Sequence, residues 1–556
     1  MQRTRRGCLI AGFLISITLG SPSSQAQYSG SFQTNIITGV TSNWSFTYTV
    51  GSVLFADALL IEHGGVLSNG AATVGQASSS SNNFVLVTDS GSVWSNGNRI
   101  FVGEAGAGNS LVISNGGSVI SLVDGVIAGV NATGNGNNIL VTDPGSVLRD
   151  VQNLTIGESG VSNSMTIING GKVYDSQGIL GSECSQSGCI STSYSSVVVS
   201  GAGSTWSNGN SLVVGLSGWC NSLVISNGGN VFSTDGNFKG SAIGYYTGSN
   251  SVLVSGTGSL WSTPGSIKVG NVSTANSLVI SNGGVVVDGN GAISFNPGSS
   301  GNTATVTGSG SVWSNGILNV GNDGGASTLA IMNSGAVVSS NSFIGNLPTS
   351  SSNSVYVANI GALQSDTLYV GYQGSSNSLV VSGGSVFATN LVVGAASTTC
   401  DNLLQVDVTH QLSGQSTVIV TNTLGNAVLE VRHGTLVLAA GVVQADTLVI
   451  TNSCAQFIHT GGILIAGNVV LDPNTFRIVS ITPQGNDLLI TWMMGPGATN
   501  TLQVTTGGPG QSYNTNGFTD IFIVTNNTTV GTVTNYLDIG AATNAPARYY
   551  RARLVP

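Results

Sequence analysis

A glycine-anchored unit recurs at least twelve times along this chain, and no other feature restricts the possible folds as strongly. The anchor reads G-S-V-W-S in its fullest copies. Its glycines are Gly91, Gly117, Gly145, Gly171, Gly203, Gly229, Gly258, Gly284, Gly310, Gly335, Gly361 and Gly384, most of them separated by the interval that divides Gly91 from Gly117 or one close to it. A period this regular means one supersecondary unit copied along an axis, each copy burying its apolar side against its neighbours.

The unit around Gly91 shows what is copied. Phe84-Val85-Leu86-Val87 reads as a strand, Asp89-Ser90-Gly91 as a turn, and Ser92-Val93-Trp94-Ser95 as a second strand. Asn96-Gly97-Asn98 turns again, and Ile100-Phe101-Val102 is a third strand closed by Gly103. Three short strands with Asn/Gly/Ser corners describe one coil of a parallel β-helix, with coils stacked about 4.8 Å apart. Asn and Gly tolerate the left-handed backbone that bends a strand sharply. The closing glycine recurs from Gly103 to Gly394, and Gly270→Val is expected to disrupt its coil.

Composition agrees. Charged residues make up 6% of the chain, against about 25% in ordinary globular domains. Yet 40% is hydrophobic and falls in short β-branched runs, which excludes disorder. The expected fold is all-β: a parallel β-helix (β-solenoid) of about 15 coils followed by a small C-terminal β-sandwich.

The core is expected as a ladder two residues after each anchor: Val93, Val119, Val147, Val173, Thr205, Val231, Leu260, Val286, Val312, Val337, Leu363 and Val386. Val suits a buried pleated surface. The next position runs Trp94, Ile120, Leu148, Tyr174, Trp206, Phe232, Trp261, Val287, Trp313, Val338, Gln364 and Phe387. Strand alternation points this row outward. Trp94, Trp206, Trp261 and Trp313 then form an exposed aromatic stripe, the candidate binding surface for a glycan or a partner. The competing reading is a second core wall at a corner where both residues point in. The tryptophan returns roughly every second coil, so the underlying period is two coils.

Residues 1–26 read as a signal peptide: Arg3, Arg5 and Arg6, an apolar stretch from Leu9 to Leu19, and a small-x-small site at Ser24-Gln25-Ala26. The solenoid is expected over 27–472, with clean repeats at about 80–395 and irregular terminal coils over 396–472. Residues 473–556 read as a separate β-sandwich. There Leu488-Leu489-Ile490-Thr491-Trp492 and the late Arg548-Tyr549-Tyr550-Arg551 are similar to fibronectin type III-like, immunoglobulin-like modules of exported bacterial proteins. That resemblance implies a buried Trp492 and a core Tyr549 or Tyr550.

The phrases Asn221-Ser222-Leu223-Val224-Ile225-Ser226-Asn227-Gly228-Gly229 and Gly203-Ser204-Thr205-Trp206-Ser207-Asn208-Gly209 resemble the repeat associated with type V secretion and PEP-CTERM proteins. The likeness runs over residues 80–395. It implies a secreted or surface-displayed, autotransporter-like passenger and no enzyme activity. No Pro-Glu-Pro tag follows the solenoid, and the segment after it is too short for a membrane barrel, so another export route or a partner translocon is expected.

Chemistry is sparse. Net charge is −9, and from Gly91 to Gly394 the cations are Arg99, Arg149, Lys172, Lys239 and Lys268, too scattered for a nucleic-acid groove. No run after the signal reaches the 18 or so apolar residues of a membrane span. Polysaccharide-cleaving β-helices need acids gathered on adjacent coils. Asp89 and Asp143 occupy equivalent positions, but each is the Asp of a V-T-D turn. His63, His410, His433 and His459 form no ligand spacing, and no cofactor or metal is expected. Cys184, Cys189, Cys220, Cys400 and Cys454 follow the signal, an odd number whose pairing the spacing leaves open; Cys184 and Cys189 could close a loop, or pair with Cys220. The expectation is an exported, non-enzymatic rod, structural or adhesin-like, secreted or on the cell surface. Glycans or other surface and matrix proteins are the expected partners. The rival is a carbohydrate-binding or carbohydrate-active β-helix protein.

Overall fold

The computed structural model describes residues 28–182, 194–236, 238–396, 398, 400–408, 414–450, 452, 454–471, 477–494, 499–507, 517–527, 532–543 and 547–555. The signal-peptide reading of 1–26 lies outside them, as do Cys184, Cys189 and His410. Among the described residues every regular element is a strand.

Strands from Thr34–Thr38 through Ile463–Leu471 form two long parallel sheets, of 17 and 25 strands. The first sheet takes one short strand from each coil, such as Ser110–Ser114 and Ser222–Ser226. Its 17 strands are in line with the 15 or so coils read from the repeat. The second sheet takes the other two strands of each coil. They are separate in some coils, as at Val93–Asn96 and Ile100–Val102 or Thr417–Val420 and Val428–Val431, and fused into one long strand in others, as at Val66–Val74 and Val312–Val320. Parallel pairing continues through the irregular coils, where Asn402–Asp407 pairs with Gly434–Leu438 and that strand with Gln456–His459.

The corner before each first-sheet strand is built by a feature absent from the sequence reading. Asn83, Asn109, Asn137 and Asn163 stand buried on successive rungs, as do Asn221, Asn250, Asn276 and Asn302 further along. Each Oδ1 accepts the backbone N–H of the equivalent residue one rung back: Asn109 to Asn137 at 2.8 Å, Asn250 to Asn276 at 3.0 Å, Asn276 to Asn302 at 2.9 Å. The Nδ2 of Asn276 also donates to Asn302 Oδ1 at 3.0 Å. A buried carboxamide that is paired costs little, and repeated over runs of rungs, with Ser195 and Ser327 interrupting the row, it welds neighbouring coils at a fixed register.

The closing glycines face this ladder. Gly270 has φ +79°, and a Cβ there would lie 2.1 Å from Asn302 Nδ2. Both the handedness of the corner and the space for the carboxamide therefore require glycine.

Beyond the solenoid, six antiparallel strands make two three-stranded sheets. Arg477–Gln484, Asp487–Met494 and Thr532–Asp538 form one; Thr519–Thr525, Thr499–Thr506 and Arg548–Val555 form the other. Ile490, Trp492, Met494 and Leu502 bury a common core with Tyr550 packed against it. Trp492 is fully buried and meets Phe522 edge-on at 5.9 Å.

Candidate functional site

Of the two readings of the tryptophan row, an outward stripe or a second core wall, the structure has the second. Trp94, Trp206, Trp261 and Trp313 are each 0% exposed. The reason is a one-residue slip between the two half-repeats. Val93 pairs with Ser118 and Trp94 with Val119, so Gly91 corresponds to Gly116 rather than to Gly117. Both of those glycines have positive φ, 86° and 90°. A slip of one residue moves every side chain to the other face of a strand.

The inner row therefore alternates Trp94–Val119–Leu148–Val173–Trp206–Val231–Trp261–Val286–Trp313–Val337. The expected valine ladder is split. Val119, Val173, Val231, Val286, Val337, Leu363 and Val386 are inside; Val93, Val147, Thr205, Leu260 and Val312 are partly exposed on the outside. Room for the indoles comes from the rung before: a Cβ at Gly178 would lie 2.5 Å from the Trp206 ring, and one at Gly291 2.8 Å from that of Trp313.

Two residues further along the same strands runs a buried polar seam. It passes through Asn69, Asn96, Ser121 and Asp150, then Asp175, Asn208 and Ser233, and again through Asp288, Asn315 and Ser339. The indole N–H groups donate into it: Trp94 to Asn69 Oδ1 at 2.7 Å, Trp206 to Asp175 Oδ2, Trp261 to Ser233 Oγ at 3.3 Å, and Trp313 to Asp288 Oδ2 at 3.1 Å. Burial pushes the Asp288 carboxyl up to about 8, against the opposing pull of the Trp313 N–H. Burial likewise raises Asp150 to about 6, against three backbone N–H groups. Asp175 is held well above the carboxylate range by burial, with the Asp150 charge adding to it and the Trp206 N–H opposing. These acids sit inside the coil, where Asp175 and Asp288 receive indole N–H groups and Asp150 holds the backbone of Val126 and Gln152.

The surface acids weighed as a catalytic pair are turn residues. Asp89 and Asp143 both have φ 75°. Asp89 accepts the His63 backbone N–H at 3.1 Å, and Asp143 that of Asn115 at 3.3 Å. Each carboxylate thus ties its turn to the preceding coil. Among the described residues no group of three or more His, Cys, Asp or Glu is placed to hold a metal ion, and no helix is long and apolar enough to cross a membrane. Among the same residues Cys400 and Cys454 are joined as a disulfide, and Cys220 is free.

What the outside presents is repetition. On the second sheet, Ile120, Tyr174, Phe232, Val287, Val338 and Phe387 do face outward, as the alternation argument required of them, with Phe232 and Phe387 39% and 40% exposed. Between them stand Ser95, Arg149, Ser207, Ser262 and Ser314. Arg149 lies over the Tyr174 ring at 5.0 Å. On the first sheet the outward positions of each strand read Ser–aliphatic–Ser across much of the length.

No protein-family model matches the chain, and no curated protein matches it. Among solved structures, a similarity is found to the crystal structure of a TibC-catalysed, hyper-glycosylated TibA fragment 55–350. The identity is 14% and the TM-score 0.29, over 76% of this chain and 100% of the fragment.

Proposed function

We propose that this chain is an exported, non-enzymatic rod of a Gram-negative-type cell, structural or adhesin-like, that acts by presenting extended faces. The observation that carries the reading is that the same side-chain types recur at the same outward positions on rung after rung. Such a surface offers many weak, equivalent contacts along a line, which suits attachment better than the chemistry of one pocket. The basic, then apolar, then small-residue N-terminus and the likeness of the repeat phrases to secreted passengers support the export half.

The test is expression of the full chain in a Gram-negative host. Its N-terminus is sequenced, and intact cells are treated with protease. Cleavage before Gln27 with loss of the rod on shaving is the expected result; an uncleaved cytoplasmic chain overturns the proposal.

A further inference from the structure

The outer face of the first sheet is uncharged for about twelve consecutive rungs, from Phe84–Thr88 to Ser378–Ser382, and about half of them present Ser–aliphatic–Ser. The strands stack in unbroken register, so positions one, three and five of each strand form three straight rows. The middle row is mainly aliphatic and partly exposed: Leu86, Val112, Leu140, Val198, Val224 and Val279 lie on it. The rows on either side are mostly hydroxyls, as with Ser222 and Ser226 around Val224. Many of these hydroxyls are already tied along the rod, Ser226 to Ser200 at 3.0 Å and Ser281 to Ser255 at 3.0 Å. Hydroxyls bonded to one another along the rod need less water and lose less when covered.

We infer that this face is an interaction surface for a second copy of the same chain, the two rods lying side by side with these sheets face to face. Three properties select that partner. Over the central run from Ser196–Ser200 to Ser277–Ser281 the profile across the face is symmetric, hydroxyl–aliphatic–hydroxyl, so a copy turned over meets like rows with like. No charge stands on the face to repel its copy or to demand a charged partner. The size also fits: about twelve rungs at about 4.8 Å and a strand width of about 13 Å give roughly 750 Å², near the roughly 800 Å² per partner of a stable interface. Two flat parallel sheets pack in this way at about 10 Å, with their inner rows interdigitating. The pairing needs no assumption about export and can hold where the proposed function fails, because it depends on this face alone.

The test is sedimentation equilibrium of the purified chain beginning at Gln27, at micromolar concentrations. A reversible dimer is expected. Val224→Lys/Val279→Lys places two ammonium groups in the middle row and is expected to leave a monomer with unchanged circular dichroism. Ser95→Lys/Ser207→Lys, which adds the same charge on the second sheet, is expected to dimerise as before. If the lysine pair fails to fold, Val224→Thr/Val279→Thr keeps the shape and is expected to weaken the dimer by about tenfold. A monomer at all concentrations, or a dimer indifferent to both middle-row pairs, overturns the inference, as does equal loss in the second-sheet control.

Discussion

The middle rungs and the terminal rungs share two parallel sheets and an apolar interior, yet they are held in different ways. Around Asn250, Asn276 and Asn302 each coil is joined to the next by a buried carboxamide, and the polar seam runs beside it. Past Asn402 both devices stop. The residue opposite Asn402 is Gly434, and the seam position passes from Ser365 to Ala388, Val420 and Ala445. There the chain places a disulfide instead, Cys400 to Cys454, with Cα atoms 5.4 Å apart and a sequence separation of 54. A coil with regular neighbours is held by bonds it repeats. Near the end of a stack that repetition fails, and a covalent link takes its place.

The strongest way to break this contrast is at a corner of the middle rungs. Gly270→Val combines a left-handed φ with a collision against Asn302, and a loss of about 3–5 kcal/mol is expected. A thermal unfolding curve that matches the parent protein removes the corner argument. Next is the terminal link. Opening a 54-residue loop by Cys400→Ser/Cys454→Ser costs roughly 4 kcal/mol on a chain-entropy estimate, and the loss is expected to be confined to the strands from Asn402 to Leu471. Hydrogen exchange locates it: equal loss of protection in the middle rungs erases the distinction between the two regions.

Asn276→Leu orphans the Asn250 backbone N–H on one side, and on the other removes the Nδ2 donor from Asn302 Oδ1, which keeps the backbone N–H of residue 276. About 2–3 kcal/mol is expected from this buried unpaired N–H and the side-chain bonds lost with it. The equivalent change at Asn402 orphans the Asn377 backbone N–H in the same way, but the Asn402 Nδ2 itself makes one long bond, to His433 O at 3.5 Å, so a smaller loss is expected. The ratio of the two losses, read from denaturant midpoints, sharpens the comparison.

The last effect is a slope with pH, the smallest when read per pH unit. The Asp288 pKa in the folded protein is raised to about 8, above that of the unfolded chain, so the folded state binds the extra proton. Its contribution is complete below the ordinary carboxylate range and is lost as pH rises toward 8, by no more than about 1.4 kcal/mol per pH unit for one proton. Asp288→Asn is expected to flatten stability between pH 5 and 8, about the window set by that shift. A profile just as steep in the variant assigns the slope elsewhere, with Asp150 and Asp175 the remaining seam acids.

Much of the fold could be read from residues. Recurrent Gly91-type anchors, Asn/Gly corners and three short strands per unit led to a parallel solenoid, and the six C-terminal strands fall where their β-branched runs lie. The candidate site could not be read in the same way. The position after the valine was assigned one phase for all coils, while G-S-x-W and G-G-x-V coils differ by one residue in register. A glycine next to a glycine hides that offset, since neither carries a side chain to show which one turns the corner. The asparagine ladder was equally hidden: Asn83, Asn109 and Asn137 look like ordinary turn residues until the stack places them above one another.

The chain's period and corner residues by themselves determined that it would coil, because a left-handed corner and a β-branched strand are local properties of a few residues. Only the stacking of coils decided which face the tryptophans occupy, which asparagines meet and which hydroxyl rows line the outside. Those outcomes depend on the register between residues 23 to 34 positions apart, and register is fixed by packing between neighbours in space.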